Sequence, residues 1–187
     1  MPAIFGTTVK KVVVGGDHFV GKTTLIHRSM DLSIEDTKIT LGVNLHVKNI
    51  PLQDGIIKLQ IWDFGGQEHY RLLGMFEKYC QGANAAILVF AQNLRNSFFH
   101  LEDWVELVYQ HAGEKIPIIV VGNKADLPTS PAIEEALQTF LDNYRISGYY
   151  EVSAKYGAKE WIDGIFLDLV RLILGILPFQ NKKIFKI

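Results

Sequence analysis

Cysteine is almost absent from this chain: Cys80 is the only one in 187 residues. A single thiol excludes an internal disulfide frame. It argues for a reducing, cytoplasmic setting, with Cys80 as a small buried hydrophobe. No sign of charge dominates either. The formal net charge is −1, and charges of both signs are spread along the chain. That excludes the basic footprint of a nucleic-acid binder. Long apolar runs are missing too. The densest stretch, Ile165–Leu177, is broken by Asp168, Arg171 and Gly175, whereas a membrane span needs about 18 or more apolar residues. The opening MPAIFGTTVKK lacks a secretion-signal layout, residue 2 is Pro where myristoylation needs Gly, and the closing KKIFKI lacks the cysteine of prenylation.

What is present suits one folded domain. Hydrophobic residues make up 48% and charged residues 21% of the chain, a length that can bury a sizeable core. There is no internal repeat and no linker, so residues 1–187 read as a single domain with a short basic-apolar tail at 179–187. Short apolar runs alternate with amphipathic segments. Lys10–Val14, Val43–Ile50, Ile56–Ile61, Ala85–Phe90, Ile116–Val121 and Gly148–Val152 read as strands. Asp54-Gly55 marks a hairpin between the second and third. Ser97–His111, Pro131–Tyr144 and Lys159–Leu177 carry helical patterns, and Ser130-Pro131 is a helix start. The expected fold is α/β: a mostly parallel six-stranded sheet, one antiparallel strand, and helices on both faces.

The chemistry begins at Gly16-Asp17-His18-Phe19-Val20-Gly21-Lys22-Thr23, which fits G-x-x-x-x-G-K-[ST]. It follows a strand and opens a helix, the context that gives this pattern meaning. Successive backbone N–H groups and the helix N-terminus can cradle a phosphate. Lys22 reaches the β- and γ-phosphates, and the Thr23 hydroxyl can ligate Mg²⁺. Far downstream, Asn123-Lys124-Ala125-Asp126 follows a strand. A carboxylate only accepts hydrogen bonds, and guanine presents two adjacent donors. Asp126 therefore selects guanine and rejects adenine, because a mismatch strands a buried polar group. Ser153-Ala154-Lys155 can present a backbone N–H to the guanine carbonyl.

Two more segments complete the set. Asp63, at a strand end in Trp62-Asp63-Phe64-Gly65-Gly66-Gln67-Glu68, can hold Mg²⁺ through water. Gly66 can offer its amide to a γ-phosphate, and Gln67 can orient an attacking water. Upstream, Thr40 can offer a hydroxyl to Mg²⁺ and its amide to the γ-phosphate.

The pieces GGDHFVGKT, TLGV, WDFGGQE, NKAD and SAK, in this order, resemble the Ras-like small GTPase superfamily. They span Gly15 to Lys155, nearly the whole chain. QEHYRLL, Ser97-Phe98, Asp103-Trp104 and the SAK are similar to Rab or Ras proteins. Gly65-Gly66 and TLGVN are more similar to Arf proteins or G-protein α subunits, so the chain reads as a divergent member, one that a prokaryote could carry. The resemblance implies a P-loop NTPase G domain that binds GTP and GDP with Mg²⁺ and hydrolyses GTP slowly alone. Nucleotide contact would run from Gly16 through Thr24 and include Asn123, Lys124, Asp126 and Leu127, with Ser153, Ala154 and Lys155. Lys22 and Gln67 would carry catalysis. Two switch loops, about 31–43 and 63–78, would grip the γ-phosphate through Thr40 and Gly66 and control effector, activating and exchange proteins.

Departures from the family pattern sharpen the reading. His18 and Phe19 stand where small residues are common, and His18 would crowd the γ-phosphate side or donate to it. Met30–Ile39 contains no arginine to act as a finger in cis and no aromatic residue to cover the guanine; Ile34 or Leu32 would substitute. Phe64 packs under the sheet or meets a partner. Weak nucleotide retention is expected. The rival readings are a GTP/GDP-binding scaffold silenced by His18, and a P-loop ATPase, which Asp126 argues against. The apolar surplus at Leu167, Leu174 and Leu177 packs on the core, or forms a self-association or membrane-surface patch with Lys182, Lys183, Ile184, Phe185 and Lys186.

Overall fold

The computed structural model describes residues 6–35, 37, 40–66, 74–176 and 184–185. Strand β1 (Gly6–Gly15) leads through the phosphate loop into helix α1 (Lys22–Ser29). Strands β2 (Val43–Leu52) and β3 (Gly55–Phe64) form the hairpin, paired antiparallel from Val43↔Phe64 to Leu52↔Gly55. Its two loop residues are therefore Gln53 and Asp54. Gly55, expected in the turn, already pairs with Leu52.

A short helix α2 (Met75–Cys80), strand β4 (Ala85–Ala91) and helices α3 (Arg95–Phe99) and α4 (Leu101–Ala112) follow. The single helix expected over Ser97–His111 is interrupted at His100. Strand β5 (Ile118–Asn123), helix α5 (Pro131–Asn143), strand β6 (Gly148–Glu151) and helix α6 (Lys159–Ile173) complete the alternation. The strand order is β2-β3-β1-β4-β5-β6, parallel except for β2. A two-residue strand β7 (Ile184–Phe185) adds to these six, parallel to β6.

Continuous apolar strands arise because both faces are covered. Val12, Ile87, Val89, Ile119 and Val121 face one way, toward α1 and α6. Val13, Leu88, Phe90, Ile118 and Val120 face the other way, toward α2, α3, α4 and α5. Phe64 packs in the core: it is buried, 4.7 Å from the Phe76 ring. Cys80 is fully buried, and burial pushes its thiol up to about 12. On α6, Ile162, Ile165, Phe166, Leu169, Val170 and Leu172 are buried, and Leu167, Ile173 and Leu174 pack half-buried beside them. The surplus apolar positions Leu167 and Leu174 thus have a place on the core; Leu177, Lys182, Lys183 and Lys186 lie outside the described residues. Among the described residues no helix is long and apolar enough to cross a membrane.

Parallel order has one consequence for function. The carboxyl ends of β1, β3, β5 and β6 meet along one rim. Ligands of open α/β sheets bind at such a rim.

Candidate functional site

Gly16 opens the phosphate loop at φ 132°, and a Cβ there would stand 2.1 Å from the carbonyl oxygen of Val89. No other residue fits so close to β4. Phe19 follows at φ 57°, a left-handed conformation that is an outlier for a bulky side chain. Its ring is 70% exposed at the mouth of the loop, 5.6 Å from the His18 ring. Val20 is fully buried and anchors the loop in the core.

Lys22 curls back over the loop. Its ammonium donates to the carbonyls of Gly16 (2.8 Å) and Asp17 (2.7 Å). Burial lowers its pKa to about 8, against the opposing pull of the Asp63 and Asp17 carboxylates. His18 is also held below the usual imidazole range, by burial and then by the Lys22 charge. A neutral imidazole offers one donor and one acceptor at this edge. The Asp17 side chain takes no part in the cleft wall. It faces α4, where it meets His100 and the Trp104 indole.

Beside Lys22 lies an oxygen cluster. Thr23 Oγ1 donates to Asp63 Oδ2 at 2.5 Å and lies 2.9 Å from Thr40 Oγ1. Asp63 is fully buried, its pKa raised by that burial, and its Oδ1 has no hydrogen-bond partner. Two hydroxyls and a buried carboxylate with an unsatisfied oxygen are the hard donors that Mg²⁺ prefers. The three residues fit that ion, which would supply positive charge between phosphate oxygens when bound.

The two switch segments touch the loop and each other. The Gly65 N–H donates to the Gly42 carbonyl at 2.8 Å. Gly66 lies directly on the Asp17-His18 peptide: a Cβ on it would stand 2.2 Å from the Asp17 carbonyl carbon. Gln67, the expected water-orienting residue, lies outside the described residues.

Asn123 binds the two halves of the rim together. Its Nδ2 donates to the Val20 carbonyl at 2.7 Å, and its Oδ1 accepts from the Ala154 N–H at 2.9 Å. It acts on the loops through both ends of its buried side chain. Asp126 and Leu127 are exposed at the rim. Ser153 Oγ accepts from the Tyr156 N–H at 3.1 Å, which closes the last loop into a turn.

These loops enclose one cleft of about 490 Å³. His18, Phe19, Gly21, Lys22, Thr23 and Thr24 form its phosphate-loop wall. Thr40 and Gly66 close one side, Asn123, Lys124, Asp126 and Leu127 another, and Ser153, Ala154 and Lys155 the end. Gly16, Asp17 and Val20 stand behind this wall. Leu32 and Ile34, expected to cover the guanine, do not line the cleft. Thr37 and Tyr156 line it instead. Neither belongs to a motif, and only the aromatic beside Ser-Ala-Lys could have signalled Tyr156.

Comparisons with known proteins place the chain in a family. The Ras family model matches residues 11–175. The chain is similar to the Ras-related protein RabF1 of Dictyostelium discoideum, at 33% identity over 92% of this chain and 88% of the relative. It is 39% identical to the Ras-related protein RABA3 of Arabidopsis thaliana over 93% of this chain and 73% of the relative. It is 32% identical to the Ras-related protein Rab-10 of Caenorhabditis elegans over 90% and 82%. With the G-x-x-x-x-G-K-T loop, the Asn-Lys-x-Asp segment and the sheet order all in place, the chain belongs to the Ras family of small GTP-binding GTPases.

Proposed function

We propose that this protein is a guanine-nucleotide switch that hydrolyses GTP to GDP and phosphate with Mg²⁺, slowly when alone. The observation that carries the reading is the convergence of Lys22, the Thr23–Thr40–Asp63 cluster and Asp126 on one cleft. Lys22 and the loop amides meet the charge on the transferring phosphoryl group. Thr23, Thr40 and Asp63 hold the ion. Asp126 accepts the two guanine donors and sets base choice. Gln67 orients the attacking water. Thr40 and Gly66 tie both switch segments to the γ-phosphate, and its departure frees them for different partners.

The loop contacts explain how the two segments move together. Gly65 and Gly42 share a backbone hydrogen bond, so release of Thr40 loosens Gly66 as well. Effector, activating and exchange proteins would read that difference. An activating arginine supplied by a partner can add about 10³–10⁵ in rate.

A second reading is a GTP/GDP-binding scaffold with little hydrolysis. His18 beside the Gly66 contact and Phe19 at the mouth favour it, since both narrow the approach of a water or a partner's arginine. Single-turnover GTP hydrolysis by the wild type and Gln67→Leu separates the two. Wild-type turnover above background that falls with Gln67→Leu supports the enzyme. Equal background rates in both leave the scaffold. Competition between GTP and ATP for the cleft tests base choice, and equal affinity would overturn the role of Asp126.

A further inference from the structure

The base end of the cleft has an aromatic wall that the switch segments do not supply. No aromatic residue occurs in Met30–Ile39, and Leu32 and Ile34 are not among the residues that line the cleft. Tyr156 lines it, and its side chain is left 67% exposed. A large ring held open to water in a cleft gains most when a flat apolar partner covers it.

The ring is not loosely placed. The Tyr156 N–H donates to Ser153 Oγ at 3.1 Å, and the Gly157 N–H to the Ser153 carbonyl at 2.8 Å. The same loop is tied to β5 through the Ala154 N–H and Asn123 Oδ1. The Lys155 ammonium lies 4.9 Å from the Tyr156 ring centroid and within the field of the Asp126 carboxylate. Tyr156 thus stands on a braced turn and lines the same cleft as Asp126, the side chain expected to read the base edge.

We infer that Tyr156 stacks on a face of the bound purine and is the residue that retains the nucleotide in place of a switch-segment aromatic. This rests on the proposed guanine-nucleotide function. The division of labour is chemical. A carboxylate reads the donor pattern of one base edge, while a π-face stacks on any base. Asp126 therefore decides which base binds, and Tyr156 decides how long it stays.

The test uses the full chain and GDP with a fluorescent group on the ribose, in Mg²⁺. Tyr156→Ala should speed its dissociation by roughly tenfold, within the range of base–aromatic stacking. Tyr156→Phe and Tyr156→Trp should stay within about twofold of the wild type, because the ring remains. IDP, which lacks the exocyclic amine, should weaken by the same factor as GDP in Tyr156→Ala. Inorganic tripolyphosphate, which has no base, should compete equally well for the wild type and Tyr156→Ala. An unchanged off-rate in Tyr156→Ala overturns the inference and leaves the guanine-nucleotide reading intact. So does a Phe variant as fast as the Ala variant, or a parallel loss of tripolyphosphate binding. A wild type that holds tripolyphosphate but no guanine nucleotide overturns both.

Discussion

Asp17 and His100 are separated by 83 positions in the chain, yet the Asp17 Oδ2 lies 2.6 Å from the His100 Nδ1. The second oxygen of Asp17 accepts from the buried Trp104 indole at 3.2 Å. The side chain of a residue in the phosphate loop is thereby fixed to α4. His100 is about half exposed, so its pairing is screened by water. His100→Ala should cost about 0–1 kcal/mol. Asp17→Ala also strips an acceptor from a buried indole and should cost about 1–3 kcal/mol. Denaturant unfolding of the two variants checks the order, and a larger loss from His100→Ala would contradict it.

Asn123→Ala should damage more than base recognition. The amide satisfies the Val20 carbonyl and the Ala154 N–H at once, both inside the structure. Removing it leaves two buried groups short of a bond, a loss of about 2 kcal/mol or more. Because those bonds join the phosphate loop to the Ser153–Tyr156 turn, GDP release should accelerate together with the loss of stability. Thermal unfolding with and without GDP reads both effects.

Lys22 makes a pH prediction. Its pKa in the free protein is lowered to about 8, while an unfolded lysine keeps 10.5. Between these values the unfolded chain holds more protons, so this group makes the free protein more stable as pH rises through that window. Bound phosphates favour the charged form and restore the proton. GDP affinity should therefore show no pH dependence from Lys22 below about pH 8 and weaken above it, by up to roughly tenfold per unit. Calorimetry at pH 9 in buffers of different ionisation enthalpy should show proton uptake on binding. Lys22→Met should abolish that uptake.

Asp63 holds an unsatisfied buried oxygen, and burial raises its pKa. Under the proposed function, that is a cost offset by the bound ion. Asp63→Asn keeps the shape and removes the buried charge, so the nucleotide-free protein should gain about 1 kcal/mol or more at neutral pH. The same variant should lose the slowing of GDP release by Mg²⁺. Unfolding midpoints and off-rates in Mg²⁺ and in chelator check the opposed effects; a destabilised Asp63→Asn would show that the Thr23 bond outweighs the buried charge.

Much of the site was legible because its chemistry is local. Gly16, Lys22 and Thr23 lie within a few residues of one another, and a strand-to-helix turn suffices to aim them. β4 and β5 read as buried strands because both of their faces meet helices. The hairpin was legible, but its turn was shifted by one residue: Leu52 pairs with Gly55, which leaves Gln53-Asp54 as the loop and puts Gly55 in the strand. Ile34 and Leu32, expected as guanine covers, do not line the cleft, because segment position along the chain does not say which way a loop folds. Tyr156 carried no motif, and only its place beside the Asp126 loop gives it meaning.

By itself the amino-acid order determined the chemistry and the layer pattern. The glycine-rich loop with its Lys-Thr pair, the Asn-Lys-x-Asp carboxylate and the alternation of apolar strand with amphipathic helix all depend on near neighbours and short periodicities. The tertiary structure alone decided which distant side chains meet. It turned the Asp17 carboxylate toward His100, made Asn123 a tie between two loops, left Tyr156 on the cleft wall and paired Ile184–Phe185 with β6. Such meetings follow from strand order and loop closure. They are set by the packing of the whole chain, and no local pattern encodes them.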